Sequence, residues 1–230
     1  AFLLEWIAYH KLIGFTDIVI MSNDCEDGSD VMLDHLHNKG EIIHVRNDGP
    51  YYDIKGRDIL NDFDPKRNIQ FTGLLLADEH PVVKEADWIM HFDIDEFINV
   101  HVGDGKITDL IDALPEADAI ALTWRMFGND GAVEIEDRLV TEQFTKAAPK
   151  TMHWPWRAFM YKTLYRNNGI YGRLGVHKPK DADPDRVNDS KWFSGSGTRL
   201  PSAFQTDRII SDHTQDNYKL AQVNHYALNS

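Results

Sequence analysis

Ile18-Val19-Ile20-Met21 carries no polar residue and is rich in β-branched side chains, while the segments on either side repeat their apolar residues at helical spacing. A strand that is apolar on both faces must be covered on both, which is the situation of a strand in a parallel sheet layered with helices. Upstream, Leu3, Leu4, Ile7 and Ala8 share a helical face, and Gly14 stands where a left-handed cap can end the helix. Downstream, the polar loop Ser22-Asn23-Asp24-Cys25-Glu26-Asp27-Gly28 leads into a helix carrying Met32, Leu33 and Leu36, which ends near Gly40. Glu41-Ile42-Ile43-His44-Val45 reads as the next strand.

The alternation continues. A helix through Phe71, Leu74 and Leu75 is interrupted by Pro81. Trp88-Ile89-Met90-His91-Phe92 reads as a strand ending in Asp93-Ile94-Asp95-Glu96, and residues 107–114 as a helix closed by Pro115. Residues 119–126 read as a strand, followed by the turn-rich Phe127-Gly128-Asn129-Asp130-Gly131. Residues 139–147 look helical, and 158–165 and 222–226 look extended. Residues 167–211 are rich in Gly, Pro, Asp and Ser without periodicity, the composition of long loops that serve as a lid or a substrate-binding insert. The expected fold is one α/β domain over residues 1–230, a mostly parallel sheet flanked by helices on both faces.

Composition narrows the function. The net charge of −13 argues against a general nucleic-acid binder, and an acidic protein that handles phosphates needs a divalent cation between itself and the ligand. A single cysteine, Cys25, excludes an internal disulfide framework and any multi-cysteine metal site, and fits a cytoplasmic setting, in solution or at the inner membrane face. No apolar run reaches the roughly 18–20 residues that span a bilayer.

The chemistry concentrates at Asp93-Ile94-Asp95. On a continuing strand, side chains two apart point to one side, so both carboxylates would converge on one cation while Ile94 turns into the packing. Strand C-termini are where ligands bind in open α/β sheets, and manganese or magnesium takes hard oxygen ligands together with substrate phosphates. Calcium loops do not fit: the string from Asn23 places Cys25 third and Asp34 twelfth, and the string from Asp93 places Phe97 fifth.

Taken together, Leu4-Glu5-Trp6-Ile7-Ala8-Tyr9-His10, Ile13-Gly14-Phe15, Ser22-Asn23-Asp24-Cys25, Asp27-Gly28, Asp93-Ile94-Asp95-Glu96-Phe97, Trp124-Arg125-Met126-Phe127-Gly128 and Asn224-His225-Tyr226 resemble the family 2-like glycosyltransferases of bacteria. That group is similar to family 92 enzymes and has the GT-A fold. The resemblance implies a nucleoside-diphosphate sugar donor, a hydroxyl-bearing acceptor such as a carbohydrate, a divalent metal (Mn2+ or Mg2+) and, by analogy, inversion. It implies that residues 1–127 hold nucleotide sugar and metal, and residues 128–230 the acceptor. Asp93 is assigned to the ribose and metal region, Asp95 to metal coordination, and Asn23, Asp24 and Asp27 to the nucleoside pocket. It also implies a first strand ahead of the opening helix, which this sequence does not include.

His225 is the candidate third metal ligand, with His177 as competitor. Inverting transfer needs a base; Asp130, after a strand end and beside glycines, is the candidate, with Glu134, Glu136 and Glu142 as alternatives. Trp154, Trp156 and Trp192 could stack on sugars or pack in the core. Arg57, Lys66 and Arg67 could face a diphosphate or solvent. A nucleotidyl- or phosphotransferase using the same carboxylates, and a non-catalytic nucleotide- or carbohydrate-binding module, are the competing functions.

Overall fold

In the computed structural model, which describes residues 2–47, 69–129, 131–132, 134, 136–152 and 155–227, the chain opens with α1 (Phe2–Leu12). Gly14 follows it at φ +106°, a backbone that a Cβ would strain. The chain forms two compact units: Ala1–Phe15, Asp87–Gly172 and Val176–Ser230 make the first, and Thr16–Ala86 with Arg173–Gly175 the second.

The second unit begins with β1 (Val19–Ser22), passes through α2 (Ser29–Asn38) and returns as β2 (Ile43–Arg46), parallel to β1 with Val19 opposite Ile43. This βαβ crossover is what the apolar runs predict. Here α3 (Ile69–Glu79) buries Leu74, Leu75 and Ala77, and α4 (Pro81–Glu85) starts on Pro81 after a His80 ring nitrogen accepts from the Val82 N–H. Proline suits a first helical position because that N–H has no intrahelical partner.

The first unit resumes with β3 (Trp88–Met90), β4 (Glu96–Val100), α5 (Ile107–Ala113), β5 (Ala119–Met126), a short α6 (Val140–Gln143) and β6 (Tyr161–Arg166). There follow β7 (Tyr171–Arg173), β8 (Lys180–Ala182), β9 (Trp192–Ser194), α7 (Ala203–Thr206) and β10 (Ala221–His225). Its six-stranded sheet has the order β3-β6-β5-β10-β4, with β9 also on β5. The expectation of a mostly parallel sheet is corrected here: β5 runs parallel to β10 and β9, but β6 is antiparallel to β5 and β3, and β4 is antiparallel to β10. Apolar patterning reports that both faces are covered; strand direction is set by the connections, which that pattern does not encode.

One face of this sheet carries Ile98, Val100, Ile120, Leu122, Leu164 and Val223, packed with Ile13, Ile107 and Leu110. His10 locks α1 to β4: its Nδ1 donates to the Trp6 carbonyl (2.8 Å) and its Nε2 accepts from Ile98 N–H (3.3 Å). The other face packs Tyr161 against Phe204, ring centroids 5.6 Å apart. Residues 167–211, read from sequence as a lid or insert, therefore supply short strands and part of this second layer. Trp192, fully buried and donating from Nε1 to the Tyr171 hydroxyl (2.9 Å), is a core residue and not a sugar platform. Among the described residues no helix is long and apolar enough to cross a membrane.

Candidate functional site

The strand register determines where polar side chains can gather. On the core-facing side of the sheet, Val223 stands opposite both Ile98 and Trp124, His225 opposite Glu96, and Lys162 opposite Leu122. Side chains alternate along a strand, so Trp124, Lys162, His225 and Glu96 continue the apolar face past its edge. That edge is the C-terminal end of the parallel pair β5 and β10, the usual ligand-binding end of such strands.

Asp93-Ile94-Asp95 lies there, but on a turn and not on a continuing strand. β3 stops at Met90, and the Glu96 N–H closes the turn onto the Asp93 carbonyl at 3.1 Å. Ile94, expected to face the packing, is 52% exposed. Trp6 Nε1 of α1 donates to the carbonyls of Asp93 (3.0 Å) and Glu96 (2.9 Å), and the Tyr226 N–H donates to the Asp95 carbonyl (2.9 Å). Three hydrogen bonds from two places outside the turn thus hold it by its backbone and leave the acids to other work.

Those acids separate into two pairs. Asp95 Oδ2 lies 3.3 Å from His225 Nε2, so two of the three expected metal ligands meet. Asp93 Oδ2 instead accepts from Lys162 Nζ at 3.0 Å. Lys162 also lies 3.4 Å from Glu96 Oε2, and both of these side chains are completely buried. Glu96 Oε2 accepts from the Asp93 N–H at 2.7 Å, while Oε1 has no hydrogen-bond partner among the described residues. Burial raises the Asp93 carboxyl, but the adjacent ammonium outweighs it and leaves the group below its ordinary value. For Glu96 burial wins over Lys162, and the carboxyl is pushed up to about 7.

Aromatic and imidazole rings frame the pair. Trp124 packs on His225, centroids 4.4 Å apart, and touches His177 at 5.6 Å. His177 donates from Nδ1 to the Tyr161 carbonyl (3.1 Å) and His91 to the Val176 carbonyl (3.2 Å). Burial and the charge of Lys162 lower both histidines, His91 to about 4. They are therefore neutral near pH 7, and His225, not His177, stands at the Asp95 oxygen.

Among the described residues no three His, Cys, Asp or Glu side chains gather closely enough to hold a metal alone. The donor set still fits one: a carboxylate oxygen and an imidazole nitrogen suit manganese, which retains waters and takes substrate oxygens as further ligands. Asp95, with 37% of its side chain exposed, can meet a ligand; the fully buried Glu96 cannot.

The burial of Glu96 carries a pH signature. Its folded-state value of about 7 lies above the ordinary 4.5, so the folded state holds the proton more tightly. Stability is lost as pH rises from about 4.5 to 7, by about 3 kcal/mol in all. His10 and His91, lowered by burial to about 4, act in the opposite sense over an overlapping range. We expect Glu96→Gln to gain stability over wild type progressively between pH 4.5 and 7; a difference in unfolding free energy that stays flat with pH contradicts this assignment.

The expected nucleoside residues belong to the second unit. Asn23 Nδ2 donates to the Asn47 carbonyl (2.6 Å), and Asp24 has φ +44°. Asp27 accepts from the Ser29 N–H (3.0 Å) and hydroxyl at the start of α2, which holds its carboxyl below the ordinary value. The loop's base is fixed by Ser22 Oγ on His44 Nε2 (2.7 Å) and His44 Nδ1 on Asp34 Oδ1 (2.7 Å). This arrangement resembles a hydrolytic relay, but Ser22 is buried and Arg46 also binds Asp34, so it ties β1, β2 and α2 together.

Asp130, Trp154, Arg57, Lys66 and Arg67 lie outside the described residues. Glu134, Glu136 and Glu142 are exposed, and Glu136 pairs with Arg138 at 3.1 Å. Trp156 is 47% exposed. Lys162 belongs to none of the sequence motifs, yet the structure sets it between Asp93 and Glu96. Its signal was a lysine at an inward position of an otherwise apolar alternation, two residues before Leu164.

No curated protein matches this chain. The family model described as Glycosyltransferase family 92 matches residues 1–192, a span that includes Trp6, Asp93, Asp95, Glu96 and Lys162 and ends before His225. With most of its length matched, the chain belongs to glycosyltransferase family 92.

Proposed function

We propose that this glycosyltransferase moves a sugar from a nucleoside diphosphate to a hydroxyl acceptor with inversion, using a divalent cation, manganese or magnesium, bound by Asp95 and His225 with Asp93 beside them. The observation that carries the reading is the meeting of Asp95 and His225 at the C-terminal ends of parallel strands. When bound there, the cation supplies Lewis-acid stabilisation of the leaving diphosphate. The chain supplies the rest. Asp95 and His225 donate an oxygen and a nitrogen, Trp124 fixes the imidazole plane, and Trp6 fixes the span of the turn. Asn23 and Asp24 offer acceptors suited to base N–H groups and ribose hydroxyls.

In the transfer, the acceptor oxygen forms a bond to the anomeric carbon as the bond from that carbon to the diphosphate oxygen breaks. The acceptor proton passes to a carboxylate, for which we propose Asp130; such a base is worth about 10²–10⁴ in rate. The single free cysteine, Cys25, is in keeping with a cytoplasmic setting. The test is product analysis with a panel of nucleotide sugars, with and without Mn2+. Metal-dependent release of intact nucleoside diphosphate together with a glycosylated acceptor is expected. Release of pyrophosphate, or binding without turnover, would overturn the reading.

A further inference from the structure

Lys162 has no part in that scheme, yet it is the cation most deeply placed in the site. Its side chain is fully buried on β6 and its Nζ lies 3.0 Å from Asp93 Oδ2 and 3.4 Å from Glu96 Oε2. A buried ammonium is costly unless carboxylates compensate it, and here one partner is buried and the other is the first acid of Asp93-Ile94-Asp95. The arrangement divides the acids: Lys162 takes an oxygen of Asp93, while Asp95 stands with His225. A divalent ion approaching without substrate meets a fixed positive charge and a donor set reduced to Asp95 and His225.

We infer that Lys162 is a built-in counter-cation that occupies Asp93 and keeps the site from loading a divalent metal by itself, so that metal enters together with the diphosphate of the donor. The inference rests on the proposed metal-dependent transfer. The diphosphate's own oxygens replace the missing ligands and its negative charge offsets the ammonium, so metal and donor each raise the affinity of the other, as linkage requires. A lysine that only propped up the turn would behave differently. Removing it would loosen the acids and weaken metal binding, whereas removing a resident competitor strengthens it. The direction of the change separates the two roles.

The experiment is a manganese titration read by the electron paramagnetic resonance signal of free Mn2+, without nucleotide, on wild type, Glu96→Gln and the double variant Lys162→Met/Glu96→Gln. The double variant removes the ammonium together with the carboxyl it faces, so no buried carboxylate is stranded on β4. Its Mn2+ affinity is expected to rise about 10-fold or more above wild type, a change of about 1.4 kcal/mol or more. Glu96→Gln alone keeps Lys162 on Asp93 and should not tighten binding. Adding Asp95→Ala to the double variant should abolish the gain. An unchanged or weaker affinity in the double variant, or a gain that survives Asp95→Ala, overturns the inference. Absence of metal-dependent sugar transfer by wild type overturns the underlying function instead, and the two failures are read in separate assays.

Discussion

Asp95→Asn should lower the turnover number for sugar transfer by about 10²–10³-fold, the loss typical of removing one group that stabilises developing charge. The amide keeps the shape of the side chain and removes the anionic oxygen facing His225 Nε2 at 3.3 Å. Stability should move by less than about 1 kcal/mol, because the side chain is 37% exposed and the backbone carbonyl still accepts from Tyr226. Donor consumption at saturating Mn2+, measured beside thermal unfolding, checks both halves. Near-normal turnover in a folded variant would remove Asp95 from the mechanism.

Lys162→Met has the larger effect on folding. Methionine nearly fills the volume, but it leaves Glu96 buried opposite His225 without its cation and Asp93 without its donor. Breaking a buried pair by removing one partner costs about 3–5 kcal/mol, a large share of the stability of an ordinary domain. Urea unfolding near pH 9, where Glu96 is ionised in the wild type, should show that loss, and adding Glu96→Gln should recover most of it, because a neutral pair is far cheaper to bury. Equal stability of Lys162→Met and wild type would mean that water reaches the site far more freely than its burial indicates.

Elements whose signal is local were legible in the sequence. The apolar face of α1 with Gly14 after it, the βαβ unit of β1, α2 and β2, and the span 119–126 of β5 all follow from periodicity and breakers. Pairing partners were not, because the return of β6 beside β5 and of β4 beside β10 depends on long connections. The same gap explains the site. Asp93 and Asp95 stand out in sequence, but their side chains part company because the chain turns after Met90 and because Lys162, 69 residues later than Asp93, arrives from another strand. His225 was readable as a late histidine; that it meets Asp95 depends on the register of β10 against β4.

Trp6 shapes what can change at the triplet. One indole N–H reaches the carbonyls on both flanks of Ile94, so the curvature of this corner is set from outside it, by a side chain on α1. The middle position is thereby released from structural duty, its side chain standing in solvent. Mutational drift at Ile94 can adjust what the rim presents to an incoming molecule without disturbing the two acids beside it.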